Sequence, residues 1–219
     1  MPMPLRLALF DCDGTLVDGQ AGVVGAMEAA FAGAGLPLPQ RHLIRRAVGL
    51  SLPQAIRLLA PELPEDVRQE LDRSYRDAFR AARESGQLVE PLYDGMADLV
   101  AALSQGGWLL GVATGKSRRG LDHCLAVHGL TAHFCTLQTA DNHPSKPHPS
   151  MVDAALAESG ADHGATVMIG DTQYDMAMAV NAGVRAIGVD WGYHTAQELR
   201  EAGAEAVARD PAHLMELLS

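Results

Sequence analysis

Short apolar runs alternate with longer amphipathic segments along most of the chain. Leu5–Phe10, Trp108–Ala113, Phe134–Leu137, Thr166–Ile169 and Ala186–Val189 are each four to six residues long, and all but Phe134–Leu137 end directly against Gly, Asp or Thr. Near-continuous apolar runs of that length predict strands buried on both faces of a parallel sheet. Between them, Gly95–Leu103, Ser117–Val127, Ser150–Glu158, Tyr174–Ala182 and Thr195–Glu201 read as helices. The alternation predicts an α/β fold with a doubly wound, Rossmann-like parallel sheet. Such a sheet takes its ligands at the C-terminal ends of its strands.

Residues 19–87 break this rhythm. They carry four helical segments, Ala21–Ala34, Gln40–Val48, Leu52–Leu59 and Glu65–Glu84, and no strand pattern. Pro37, Pro39, Pro53, Pro61 and Pro64 punctuate them. Pro53 and Pro64 fall near helix starts, where a missing N–H costs little. The block is too long for an ordinary βα connection. The expectation is a small α-helical cap domain at 19–87, inserted into a core made of 1–18 and 88–219. Its hinges fall near Asp18–Gln20 and Ser85–Glu90.

Chemistry gathers at the strand ends. The first run stops at Phe10-Asp11-Cys12-Asp13-Gly14-Thr15. Two carboxylates at the tip of a buried strand are costly unless a cation or strong donors meet them. A calcium loop does not explain them. Counted from Asp11, the positions where such a loop needs an oxygen ligand, a Gly and a Glu hold Thr15, Leu16 and Gly22. A second acidic pair, Asp171 and Asp175, follows the run Thr166–Ile169. The two share one face if a helix starts near Asp171. Asp11, Asp13, Asp171 and Asp175 together are an oxygen ligand set suited to Mg²⁺.

Thr114-Gly115-Lys116-Ser117 follows another strand and opens a helix. A nucleotide-binding P-loop would need Gly at position 110, which is Leu. What remains is a Thr114 hydroxyl and backbone N–H groups such as that of Gly115, a seat for phosphate. Lys146 lies in the proline-rich loop Ser145–Pro149, before another helix. Cys12 points away from its flanking aspartates by strand alternation. Nine histidines show no metal-ligand spacing, and His143 and His148 read as loop surface. Trp191–His194 either rims the site or packs.

In this order the pieces resemble the four motifs of the haloacid dehalogenase-like superfamily, in particular its phosphatases with a helical cap. Asp11-x-Asp13-Gly14-Thr15 matches the first, Thr114 the second, Lys146 the third and Gly170-Asp171-x-x-x-Asp175 the fourth. The resemblance spans essentially the whole chain. It implies Asp11 as nucleophile and Asp13 as general acid and base, with Thr114 and Lys146 holding the transferring phosphoryl group. Mg²⁺ would sit on the Asp11 carboxylate, the Asp13 backbone carbonyl and Asp171, with Asp175 reaching it directly or through water.

The founding dehalogenases lack an acid two residues after the nucleophile, so Asp13 argues against dehalogenation. The expected function is Mg²⁺-dependent hydrolysis of a small phosphorylated metabolite, phosphoglycolate-like or a sugar phosphate. The alternatives are a phosphomutase of the β-phosphoglucomutase type and a catalytically silent binding protein. The segment Arg41–Ser51 resembles one that faces substrate in such enzymes, making Arg45 and Arg46 candidates to meet a second anionic group.

Composition narrows the partners. The chain has 17 Lys+Arg against 27 Asp+Glu, a formal charge of −10, which disfavours nucleic acid and anionic membranes as partners. Hydrophobic residues at 47% and charged residues at 20% exclude wholesale disorder. No stretch approaches the ~20 apolar residues of a membrane span. Met1–Arg6 lacks the pattern of a signal peptide, and three cysteines show no CxxC spacing. The expectation is a reduced, cytoplasmic protein.

Overall fold

The computed structural model of the protein describes residues 4–219. Six strands, β1 (Leu7–Phe10), β2 (Leu109–Thr114), β3 (Phe134–Thr139), β4 (Thr166–Gly170), β5 (Arg185–Val189) and β6 (Ala206–Ala208), form one sheet. Their order is β3-β2-β1-β4-β5-β6, and every pairing is parallel. Alternate residues of each strand enter two apolar layers. Ala8, Phe10, Val112 and Ile169 pack under α5 (Met96–Gln105), α6 (Arg118–Val127) and α10 (Pro211–Leu218). Leu7, Leu9, Ala113 and Met168 pack under α7 (Ser150–Ser159), α8 (Gln173–Ala182) and α9 (Ala196–Glu201). Helices on both faces bury both sides of the sheet, which is why its central strands are largely apolar, while edge strand β3 carries Thr136, Gln138 and Thr139.

Register sets the site. Phe10 lies opposite Val112 on one side and Ile169 on the other. Asp11, one residue past Phe10, therefore emerges centrally, with Thr114 and Asp171, each two residues past its partner, on either side.

Between β1 and α5 run α1 (Gln20–Gly33), α2 (Arg41–Ala47), α3 (Leu52–Leu59) and α4 (Glu65–Glu84). They share an apolar cluster of their own that includes Met27, Phe31, Ile44, Ile56 and Leu71. The chain leaves and re-enters the sheet layer along adjacent paths. Asp18 N donates to Pro91 O at 2.8 Å, and Tyr93 N donates to Leu16 O at 3.1 Å.

Three features differ from the sequence expectation. β6 and α10 have no counterpart in it: Ala206–Ala208 is too short to show a period, although Asp210 caps α10 by accepting from His213 N with Pro211 next in line. β1 starts at Leu7, not Leu5, which stays exposed. Asp171 precedes α8 instead of sharing its first turn with Asp175. Thr172 is the N-cap, and its side chain and that of Asp175 close a reciprocal capping box.

Candidate active site

Asp11 sits at the tip of β1 and is buried. Its backbone N donates to Ile169 O at 2.9 Å, and its Oδ1 accepts from Cys12 N at 2.6 Å. Oδ2 is buried, and among the described residues its close polar neighbour is Lys146 Nζ at 2.9 Å. Lys146 also donates to Asp175 Oδ1 at 2.5 Å, and its side chain has no exposure. The surface lysine that composition alone would suggest is thus a buried bridge between two carboxylates.

Asp171 is held from both sides. Thr15 Oγ1 donates to its Oδ1 at 2.9 Å and Tyr193 N to its Oδ2 at 3.0 Å. Gly14, at φ +83°, turns the chain so tightly that a Cβ there would stand 2.2 Å from Asp171 Oδ2. Asp175 Oδ2 accepts from Thr172 N and Thr172 Oγ1 at 3.0 and 2.7 Å. Trp191 Nε1 donates to Thr15 O at 3.1 Å. The Trp191–His194 segment therefore both packs on and rims the site.

Oxygens of Asp11, Asp171 and Asp175 lie within 4.8 Å of one another. Among the described residues, three buried carboxylates against the one Lys146 ammonium leave two formal negative charges without compensation. Burial, opposed by Lys146 and reinforced by Asp175, pushes Asp11 from its ordinary value near 3.8 to about 7. Burial, then Asp175 and Asp11, push Asp171 well above the usual carboxylate range. Desolvation works against the Lys146 ammonium, yet Asp11 and Asp175 hold its proton above the ordinary lysine range. A hard divalent cation matches both the charge deficit and the all-oxygen donor set.

Asp13 is elsewhere. Its carboxylate accepts from Lys116 Nζ through both oxygens, at 2.7 and 2.8 Å, and so does not join the carboxylate cluster that the sequence pattern grouped it with. Lys116 in turn donates to Glu90 Oε1 at 2.7 Å. Gly19 presses on the same group, since a Cβ there would meet Asp13 Oδ1 at 2.1 Å. Thr114 is buried, and its Oγ1 accepts from Lys116 N at 3.2 Å. Gly115 lies under the α2–α3 turn, where a Cβ would stand 2.4 Å from Leu50 O. The cap of α6 is Ser117, accepting from Gly120 N.

These groups open into a cavity of about 960 Å³, floored by Asp11, Asp13 and Thr114 and walled by residues of α2–α4. Arg45 and Arg46 do not line it. Arg46 Nη2 pairs with Glu198 Oε1 at 2.5 Å, tying α2 to α9. Cys12 points into the apolar layer as expected, its sulfur 3.8 Å from that of Cys124. His143 is half-buried rather than surface, its ring nitrogens 2.8 Å from Ser150 Oγ and 2.9 Å from Gln138 Oε1.

Lys116 and Glu90 were missed by sequence reasoning. Lys116 carried only the signal of a failed P-loop, and Glu90 carried none.

Residues 8–189 match the haloacid dehalogenase-like hydrolase family. This chain belongs to that family. It is 36% identical over 204 residues to the probable phosphatase IndB of Dickeya dadantii (strain 3937), covering 92% of this chain and 88% of that protein. It is 32% identical over 192 residues to a phosphoglycolate phosphatase of Agrobacterium fabrum, covering 85% and 81%. A crystal structure titled as a predicted phosphatase from Clostridium acetobutylicum shares the fold, with a TM-score of 0.88 at 24% identity over 99% of both chains. Among the described residues, no helix is long and apolar enough to cross a membrane.

Proposed function

We propose that this enzyme is a Mg²⁺-dependent phosphoric monoester hydrolase that acts on a small phosphorylated metabolite through an aspartyl-phosphate on Asp11. The observation that carries the reading is Asp11 itself: a buried carboxylate at the tip of β1, with one oxygen fixed by Cys12 N and the other beside the Lys146 ammonium at the floor of the cavity. A carboxylate held in place beside a cation that can neutralise an incoming anion is suited to attack on phosphorus.

The roles follow from position. Asp11 Oδ2 forms a bond to phosphorus as the bond to the leaving oxygen breaks. Asp13 gives the leaving oxygen its proton, then takes one from the water that attacks the acyl phosphate, so that phosphate leaves and Asp11 is restored. For the donating step Asp13 must turn off Lys116. Lys146, the Thr114 hydroxyl and the Gly115 N–H bind the phosphoryl oxygens. Asp11, Asp171, Asp175 and the Asp13 backbone carbonyl would hold Mg²⁺, whose charge offsets repulsion between carboxylate and phosphate when it is bound.

Helices α1–α4, residues 19–87, serve in this reading as a lid on a core of 1–18 and 88–219. Their two connections run side by side, and Gly19 and Glu90 from those connections touch the Asp13–Lys116 pair. A closing lid excludes bulk water from the acyl phosphate. A cytoplasmic setting belongs to the same reading, supported by the free thiols of Cys12, Cys124 and Cys135.

Release of inorganic phosphate from p-nitrophenyl phosphate, dependent on Mg²⁺ and abolished by EDTA, tests the activity. No release, with or without metal, would overturn it. The lid makes its own prediction. Gly115→Ala forces a methyl against Leu50 O and Gly49 O, both backbone atoms, so α2–α3 must lift from the site. We expect kcat/KM to fall by roughly tenfold or more with little change in the unfolding temperature. Unaltered kinetics would contradict a lid that closes at Gly115.

A further inference from the structure

The cavity is far larger than a phosphoryl group, and its basic lining is uneven. Arg73, Arg76, Arg80 and Arg83 form one stripe along α4 at helical spacing, and all four line it. Three of them have carboxylate partners on their own helix: Arg73 with Glu70, Arg76 with Asp72 and Arg80 with Asp77. Lys116 is taken up by Asp13 and Glu90. Arg83 has no ion pair among the described residues, and its Nε is buried with no hydrogen-bond partner. Arg119, on the first turn of α6, also lines the cavity and has no carboxylate partner there.

Arg83 stands close to the reaction centre. Its guanidinium carbon lies 5.8 Å from the centroid of the Phe79 ring, and Lys116 Nζ lies 5.6 Å from the same ring. Across the gap, a Cβ built on Gly120 would be 3.8 Å from Arg83 Nη2 and 3.3 Å from Ser117 Oγ. The guanidinium therefore reaches from α4 to the start of α6, beside the Thr114–Ser117 loop.

A buried donor with no acceptor is costly, and the carboxylates of Asp13 and Glu90 are taken up by Lys116, not by Arg83. Neutral hydroxyls of a substrate would leave that charge unmatched. An anion with two or more oxygens would satisfy both the charge and the planar fork of the guanidinium.

We infer that Arg83, with Arg119, forms a second anion subsite, and that the substrates are phosphomonoesters whose leaving group carries a further carboxylate or phosphate. This rests on the phosphatase reading and deepens it. Because α4 and α6 supply one arginine each, an anion held between them also bridges the lid to the core.

The test compares kcat/KM for ethyl phosphate, phosphoglycolate and ethane-1,2-diyl bisphosphate, which carry no second anion, a carboxylate and a phosphate. Wild type should favour at least one anionic ester over ethyl phosphate by roughly 100-fold. The better of the two identifies the group. Arg83→Ala should cut that preference at least about tenfold, and Arg83→Lys should restore part of it, since a structural loss would lower all three esters alike. No preference in wild type, or an equal fall for all three esters in Arg83→Ala, would overturn the subsite. If none of the esters is hydrolysed, the phosphatase reading fails by itself. The subsite is then read from equilibrium binding of phosphonoacetate against methylphosphonate: an affinity ratio lost in Arg83→Ala supports it, and an unchanged ratio overturns it.

Discussion

Replacing Asp11 by asparagine is expected to lower kcat by roughly 10⁴-fold or more while leaving the protein folded. The change removes the oxygen proposed to attack phosphorus and almost no volume. It also removes charge from a place where charge is disfavoured. Burial is the largest influence on Asp11, Asp175 adds to it, and only Lys146 and the Cys12 amide work the other way. In EDTA the variant should therefore unfold at or above the wild-type temperature. Mg²⁺ should raise that temperature less than in wild type, because one anionic ligand has become a neutral amide. Near wild-type turnover in the folded variant would end the nucleophile assignment. A large loss of stability in EDTA would contradict the charge argument.

Lys146→Met should damage both stability and catalysis. Among the described residues this ammonium is the one cation that touches Asp11 and Asp175, and all three side chains are fully or almost fully buried. Removing one partner of a buried pair leaves charge without compensation, at a cost of about 3–5 kcal/mol. Urea unfolding in EDTA measures this directly. With Mg²⁺ present, kcat should still fall by roughly 10²–10³-fold, because the positive charge proposed to meet the transferring phosphoryl group is gone. A variant within about 1 kcal/mol of wild type would show that the carboxylates do not depend on Lys146.

The parts of this site that could be read from sequence are those fixed by strand ends. Asp11, Thr114 and Asp171 each follow an apolar run, and parallel register brings those ends together. Local chemistry was likewise readable where a motif is contiguous, as in the tight turn at Gly14. What stayed hidden depends on pairings between distant segments. Lys116 meets Glu90 and Asp13, 26 and 103 positions away. Arg46 pairs with Glu198, 152 positions on, so one of the two arginines that the sequence offered as candidates for a second anionic group is tied to the core. Arg83 has the same polar helical stripe as its neighbours, and only the three-dimensional arrangement shows that it alone of the four lacks a carboxylate. β6 escaped because three residues carry no period, and its pairing to β5 supplies what its own pattern lacks.

The central claim is a covalent phosphoryl group on Asp11, and trapping it is the most direct measurement. p-Nitrophenyl phosphate has a leaving group that departs without a proton. Asp13→Asn should therefore still form the acyl phosphate while lacking the base that activates water. Acid-quenched Asp13→Asn enzyme, mixed with Mg²⁺ and this ester, should gain the mass of one phosphoryl group. Fragmentation should map it to Asp11, and hydroxylamine should remove it. A phosphoryl group on another residue, or nitrophenolate release with no phosphorylated enzyme at any time, would contradict the account.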